Sequence, residues 1–166
     1  KISVPGTNLF CGENKGVPRK EMPQLGGKPQ PGSDAAKLPE SSKGEVDGAK
    51  KFVEHLEGKG VKVSSDTVKA SSLKASQNEL VGAKVVGMKN NRDFDPGSGE
   101  IFVSKDGYVI DGHHRWAAQV ARDYEDGRGG DLNMKVRVVD MKIMDVLKEA
   151  NSWADEFGIM PKEAKA

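Results

Sequence analysis

One stretch decides the fold of this chain: Gly107-Tyr108-Val109-Ile110-Asp111-Gly112-His113-His114-Arg115-Trp116-Ala117-Ala118. Its first half predicts a β-strand, Gly112 predicts a sharp bend, and the remainder predicts a helix. The chain has 3 histidines, and two of them lie beside an arginine in the first turn of that helix. Because a helix start offers unpaired N–H groups and the positive end of the helix dipole, this turn predicts an anion site, most simply for phosphate.

The strand before the bend has a predicted partner directly upstream. Residues 100–104 and 108–111 are β-rich runs joined by Lys105-Asp106-Gly107, and Asp-Gly between two such runs is typical of a hairpin. Periodicity extends the pattern toward the C-terminus. The elements predicted after the bend are a helix over 112–124, a strand over 134–139 and a helix over 143–157, followed by a tail over 161–166.

Upstream of the hairpin, apolar residues recur at helical spacing from Val46 to Leu56, and Gly58 ends the pattern. The elements predicted there are a helix over 45–58, a short strand over 61–63, a strand over 68–73 that the pattern leaves ambiguous, and a helix that starts at 76–79 and reaches Met88. Together the elements predict a small α+β domain over residues 45–160, with helices packed on a mixed sheet.

Residues 1–44 have a different composition, with prolines and glycines distributed along the whole segment. Such a sequence disfavours helices and central strands, so we expect an extended arm or linker. Leu9-Phe10 and Met22-Pro23-Gln24-Leu25 are candidate docking points, either on this domain or on a neighbouring chain. The sequence begins at Lys1 rather than Met, which leads us to expect a processed piece of a longer protein.

Composition excludes several classes of protein. The net charge of +1 gives no global case for nucleic acid binding, and a single cysteine, Cys11, allows no internal disulfide or thiol-rich metal site. No apolar run approaches the length of a membrane span, so we expect no membrane partner.

The first turn after the bend carries the candidate chemistry. Arg115 can hold phosphate oxygens in a bidentate fork, and a histidine can donate to phosphate or act as a general acid. Asp111 can orient a histidine, take a proton from a hydroxyl, or hold Mg²⁺ that bridges phosphates. Adjacent residues on a helix point about 100° apart, so His113 and His114 are poorly placed to chelate a metal together. A purely structural alternative has Asp111 capping the helix, Arg115 paired with a carboxylate, and both histidines exposed.

The run from Ile101 to Ala118 resembles the signature of the ParB/sulfiredoxin superfamily. Leu73-Lys74-Ala75-Ser76-Gln77 resembles the short box that precedes a helix in ParB N-terminal domains, and residues 136–139 match the strand that closes that fold. The resemblance covers about residues 60–140. It implies a ParB/sulfiredoxin-like fold whose helix start binds nucleotide phosphates, and domains of this kind are often encoded by phages and mobile elements.

Within that superfamily the motif Asp-Gly-His-His-Arg is similar to that of free serine kinases, which transfer phosphate from a nucleotide to a small hydroxyl compound. His113 and His114 stand where ParB proteins have Glu and Arg. His113 also stands where sulfiredoxins have their cysteine, which removes thiol chemistry.

The resemblance therefore implies a nucleoside triphosphate or diphosphate, with Mg²⁺ as an optional companion, and a phosphotransferase or phosphohydrolase activity. Glu100 is a candidate second acid or an exposed loop residue, and Lys84 is a candidate because the corresponding sulfiredoxin helix contacts phosphate. The implied catalytic residues are Asp111, His113 and His114, and the implied phosphate-binding residues are Gly112, His113, His114, Arg115 and Lys84.

Two other functions stay open on the sequence. One is a DNA-binding or nuclease module, for which scattered lysines between residues 62 and 89, with Arg92, would have to form a basic face. The other is a phage structural or delivered protein with idle chemistry, in which residues 1–44 lie along a neighbouring chain. These alternatives make the expected location cytoplasmic or virion-associated.

Overall fold

The computed structural model describes residues 22–76, 82–91, 93–97, 99–125 and 130–160. Within these ranges the chain forms helices on both faces of a mixed β-sheet. The elements in chain order are β1 (Gly26–Gly27), β2 (Val46–Asp47), α1 (Ala49–Gly58), β3 (Val63–Lys69), β4 (Lys74–Ala75), α2 (Gly82–Asn90), β5 (Ile101–Ser104), β6 (Tyr108–Asp111), α3 (His113–Asp123), β7 (Asn133–Val139) and α4 (Ile143–Phe157).

The main sheet has five strands in the order β3-β7-β5-β6-β4, and β1 pairs with β2 in a separate two-stranded sheet. The β3–β7 and β5–β6 pairs are antiparallel, whereas β5–β7 and β4–β6 are parallel. This arrangement confirms the predicted α+β class with a mixed sheet and packed helices.

Successive side chains of a strand point to opposite faces, and in β5 and β6 both faces are covered by helices. Phe102 and Ile110 pack in a cluster with residues of α1 and α4, whereas Val103 and Val109 pack in a second cluster with residues of α2 and α3. Trp116 is fully buried in the second cluster, and its indole N–H donates to the carbonyl of Ala70 at 2.8 Å. The sheet is therefore the middle layer, with α3 fixed to it through Trp116.

The hairpin and the bend that follows it are confirmed. Gly107 turns the chain between β5 and β6 with φ 86°, and Gly112 starts α3 with φ 100°. A Cβ at Gly112 would also lie only 2.5 Å from Cγ2 of Ile101. The bend thus requires glycine for two reasons, its left-handed backbone and the close approach of a buried neighbour.

The structure differs from the sequence prediction upstream. The helix predicted over 45–58 begins at Ala49, because Val46 and Asp47 pair with β1 instead and Asp47 Oδ1 accepts the N–H of Ala49 at 3.0 Å. The strand predicted over 61–63 is wrong in extent, since β3 runs over residues 63–69 and pairs with β7 along its whole length. The helix start predicted over 76–79 falls mainly on residues 77–79, which lie outside the described residues.

Part of the Pro/Gly-rich segment packs on the domain. Met22, Leu25 and Ala35 are buried in the cluster that contains α1 and α4. The carbonyl of Leu25 accepts the N–H of Gly48 at 2.8 Å, and Lys28 accepts from Met160 at 2.9 Å. The other candidate docking point, Leu9-Phe10, and the tail over 161–166 lie outside the described residues. In the described ranges no helix has the length and apolar character to cross a bilayer.

Candidate functional site

A pocket of about 300 Å³ lies at the N-terminus of α3, beside the bend at Gly112. The structure brings every sequence-predicted site residue to it, including Lys84 from α2 and Glu100, the candidate second acid. The predicted site residues that line the pocket are Lys84, Asp111, Gly112, His113, His114 and Arg115.

Arg115 is held by two neighbours that the sequence did not single out. Its guanidinium carbon lies 5.5 Å from the centre of the Phe94 ring, a cation–π distance. A Cβ at Gly99 would overlap Nη1 of Arg115 and lie 3.2 Å from Cζ. Among the described residues, Arg115 has no hydrogen-bond or ion-pair partner for its guanidinium, so the carboxylate pairing of the structural alternative is not observed there.

His113 is buried, with 3% of its surface exposed. Its Nε2 lies 3.1 Å from the backbone nitrogen of Ser76 and accepts that N–H, so the ring proton resides on Nδ1. Burial, reinforced by the neighbouring His114, lowers the pKa of His113 from 6.5 to about 3. The imidazole is therefore neutral near pH 7. Its contact with Ser76 fixes the start of α3 against the end of β4.

Ser76 completes this contact from the other side. Its hydroxyl donates to the carbonyl of Val109 at 2.5 Å and lies 3.9 Å from the sulfur of Met22. Ser76 thus contacts a strand of the main sheet, the start of α3 and the N-terminal segment. Beside the pocket, Ser76 therefore joins the N-terminal segment to the bend between β6 and α3, two parts of the chain that are distant in sequence.

The other polar residues that line the pocket include both acidic and basic side chains. Asp111 is exposed at the end of β6, Lys84 is exposed on α2, and His114 is partly buried. Glu100 is exposed, and its Oε2 accepts a hydrogen bond from the hydroxyl of Ser65 at 2.7 Å. The pocket therefore contains both cationic and anionic side chains. The cations suit a negatively charged ligand, and a carboxylate can accept a proton from it.

Sequence reasoning missed one wall of the pocket. Met22, Pro23 and Gln24 line it, although the sequence marked them only as a docking point. The Gln24 amide donates to the carbonyl of Met22 at 3.3 Å, which stabilises this turn of the chain. The apolar character of Met22-Pro23 indicated burial, but no local signal indicated which surface they would cover.

No group of three or more His, Cys, Asp or Glu side chains arranged to hold a metal ion occurs in the described part of the chain. Asp111 and Glu100 are the two acidic residues among those that line the pocket. Mg²⁺ at phosphate-transfer sites is commonly held by one or two carboxylates and completed by water and substrate phosphate. Two carboxylates are therefore a donor set that fits Mg²⁺ with water and phosphate as its other ligands.

Comparison with known proteins identifies no relative. No protein-family model matches the chain, and searches among curated proteins and solved structures find no similar one. The geometry of the pocket is therefore the basis for a functional assignment.

Proposed function

We propose that this protein binds a nucleotide through its phosphates at the start of α3 and catalyses phosphoryl transfer to a hydroxyl, or hydrolysis of a phosphate ester. The observation that carries the proposal is the Arg115 guanidinium, which lines the pocket and has no polar partner among the described residues. A planar guanidinium at a helix N-terminus combines bidentate hydrogen bonding with the positive end of the helix dipole, the combination that phosphate prefers.

The phosphate subsite is built from backbone as well as side chains. The first backbone N–H groups of a helix point outward from its N-terminus, and in α3 they belong to His113, His114 and Arg115. Lys84 adds a positive charge from the neighbouring helix. Neutral His113 holds the helix start against Ser76, so the N–H groups are fixed before the ligand arrives.

The reaction follows from the position of Asp111 at the pocket rim. The acceptor hydroxyl attacks the terminal phosphorus while its proton passes to the Asp111 carboxylate. The bond from phosphorus to the bridging oxygen breaks, and the shortened nucleotide leaves with the electron pair. Arg115 and the helix start stabilise the charge on the transferred phosphoryl oxygens, with His114 as a further donor. With water as acceptor the same step is a hydrolysis. Mg²⁺ bound with the nucleotide by Asp111 and Glu100 would neutralise further phosphate charge.

The test is a thermal-unfolding titration with ATP, CTP, ADP and inorganic phosphate, with and without Mg²⁺. We expect at least one nucleotide to raise Tm, since a ligand that binds only the folded state stabilises it. The Arg115→Ala variant should lose most of the shift. Arg137→Ala is the matched control, because Arg137 also lies over an aromatic ring, Phe102, at 5.9 Å but does not line the pocket.

Two results would contradict the proposal. One is the absence of a shift with every nucleotide; the other is an equal shift in the Arg115→Ala variant.

Duplex DNA in the same assay tests the DNA-binding alternative. Binding through DNA phosphates should raise Tm, and the affinity should fall steeply with salt. Two lysines of the candidate basic face already have partners, since Lys89 pairs with Glu125 at 2.9 Å and Lys74 lies over the Tyr108 ring.

A further inference from the structure

The chain between α2 and β5 contacts α3 closely. A Cβ at Gly97 would lie 2.7 Å from Nε2 of Gln119 and 2.8 Å from the carbonyl oxygen of Asn133. Gln119, on α3, donates to that same carbonyl at 3.0 Å. Gly97 therefore packs directly against α3 and β7, and a side chain at this position would clash with them.

The start of the same connection is fixed by Arg122, also on α3. Its guanidinium donates to the carbonyls of Lys89 at 2.9 Å, Met88 at 3.0 Å and Asn91 at 2.7 Å. The carbonyl of Asn91 also accepts the N–H of Phe94 at 3.1 Å. Phe94 is thus tied to the helix that carries Arg115.

These contacts give the Arg115 side chain a defined place. Arginine has many rotamers, and a binding arginine that is mobile loses that freedom when the ligand arrives, which weakens binding. The Phe94 ring attracts the guanidinium, and the absence of a side chain at Gly99 leaves the space that Nη1 occupies. Both features fix the guanidinium in the absence of ligand.

We propose that Phe94 and Gly99 are positioning residues that pre-set the Arg115 guanidinium for phosphate. This inference rests on the proposed function. Gly99 gives the more specific test, because the atoms nearest to a Cβ there belong to the end of the Arg115 side chain and not to the backbone. Adding a methyl group at Gly99 should therefore move Arg115 and leave the fold intact.

The binding test uses inorganic triphosphate, which carries the phosphates without a base, in calorimetric titrations. We expect Gly99→Ala to weaken binding about tenfold and Phe94→Leu about three- to tenfold, as loss of a cation–π contact and of preorganisation implies. Phe94→Tyr should restore wild-type affinity. Gly58→Ala is the matched control, since a Cβ there meets nothing within 4 Å.

A double mutant separates positioning from general damage. In an Arg115→Ala background, Gly99→Ala should weaken binding no further, because the group that it displaces is gone. Wild-type affinity in Gly99→Ala, or an undiminished additional loss in the double mutant, would overturn the inference. Unfolding by urea checks that each variant remains folded.

The placement of Arg115 is also measurable without a ligand. The Nε–Hε NMR resonance of Arg115 should carry a ring-current shift from Phe94, which Phe94→Leu removes, Gly99→Ala alters and Gly58→Ala leaves unchanged. If wild type binds neither triphosphate nor nucleotide, the proposed function fails. The spectrum would still show whether Phe94 and Gly99 fix the position of the Arg115 guanidinium. An Arg115 resonance that is the same in all variants would refute positioning by either residue.

Discussion

Nε2 of His113 accepts the backbone N–H of Ser76 at 3.1 Å, and both residues are buried. The contact joins the end of β4 to the first residue of α3. A histidine that the sequence suggests for chemistry thus also connects the sheet to the helix whose start forms the pocket.

Removing this imidazole should destabilise the fold. His113→Ala leaves the Ser76 N–H without its acceptor and opens a cavity, so we expect a loss of about 2–4 kcal/mol in the free energy of unfolding. Urea unfolding monitored by circular dichroism measures it. His114→Ala, at the partly buried neighbouring position, should cost about 1 kcal/mol or less. Equal losses in the two variants would contradict a special role for the His113 contact.

The buried histidine should also make stability depend on pH. The pKa of His113 is lowered to about 3 in the folded protein from an ordinary value of 6.5, so the unfolded chain binds the proton first as pH falls. Its contribution is complete above about pH 6.5 and is lost as pH falls toward 3. Between pH 7 and pH 5 the loss should be about 2 kcal/mol.

Urea unfolding of wild type and His113→Asn across this range checks the pH effect. The variant should lose most of the slope between pH 7 and pH 5. The carboxyls whose pKa values are lowered in the folded state, Asp123 and Glu149, start from ordinary values of 3.8 and 4.5, so their effect appears at lower pH. An unchanged slope in the variant would show that His113 is not the group responsible.

The bend should be far less tolerant than the hairpin turn. Gly112→Ala adds backbone strain and a clash with Ile101, for which we expect a loss of about 3 kcal/mol or more. Gly107→Ala has similar strain at φ 86° but meets nothing within 4 Å, so a loss of about 1–2 kcal/mol is expected. Thermal and urea unfolding compare the pair, and similar losses would argue against the Ile101 contact.

Asp123 should anchor the chain that leads into β7. Burial acts to raise the pKa of its carboxyl, but hydrogen bonds from the backbone N–H groups of Gly130, Asp131 and Leu132 outweigh burial, and the pKa is lowered. Asp123→Asn keeps the shape but replaces one acceptor oxygen by a donor, so we expect a loss of about 2–3 kcal/mol. Amide exchange at residues 130–132 should increase in parallel; unchanged protection there would contradict this role.

The proposed chemistry predicts a separation between binding and turnover. Asp111→Asn removes the group that takes the acceptor proton but leaves Arg115 and the helix start in place. Nucleotide binding measured by calorimetry without Mg²⁺ should therefore stay within about threefold of wild type, while the rate of phosphate transfer or release falls about 100-fold or more. Retained turnover in the variant would assign the base to another residue.

The sequence predicted those parts of the fold whose signals are local. The hairpin turn at Gly107, the bend at Gly112 and the helix over 143–157 follow from spacing and turn chemistry, and the structure confirms them. The extent of β3 was missed because Ser64, Ser65, Asp66 and Thr67 are all exposed on an outer strand. Such a strand lacks the alternation that marks a half-buried one.

The site divides in the same way. Residues adjacent in sequence, from Asp111 to Arg115, could be proposed together because one helix start gathers them. Phe94, Gly99 and the wall at Met22–Gln24 could not, because their roles depend on tertiary contacts with Arg115 and with Ser76. Only the folded arrangement shows which backbone atoms leave no room for a side chain.

The pairing of Val63 with Val139 has a consequence for how this protein acquires its shape. These partners lie at opposite ends of the sequence that forms the main sheet. Pairing them closes a long loop, and the loss of chain entropy comes before the contacts that offset it. The hairpin and helix around Gly112 can form early and locally, whereas β3, an outer strand whose neighbour in the sheet is β7, must wait for β7. A chain cut off before β7 should consequently expose the apolar edge of β5 and aggregate, rather than persist as a smaller working unit.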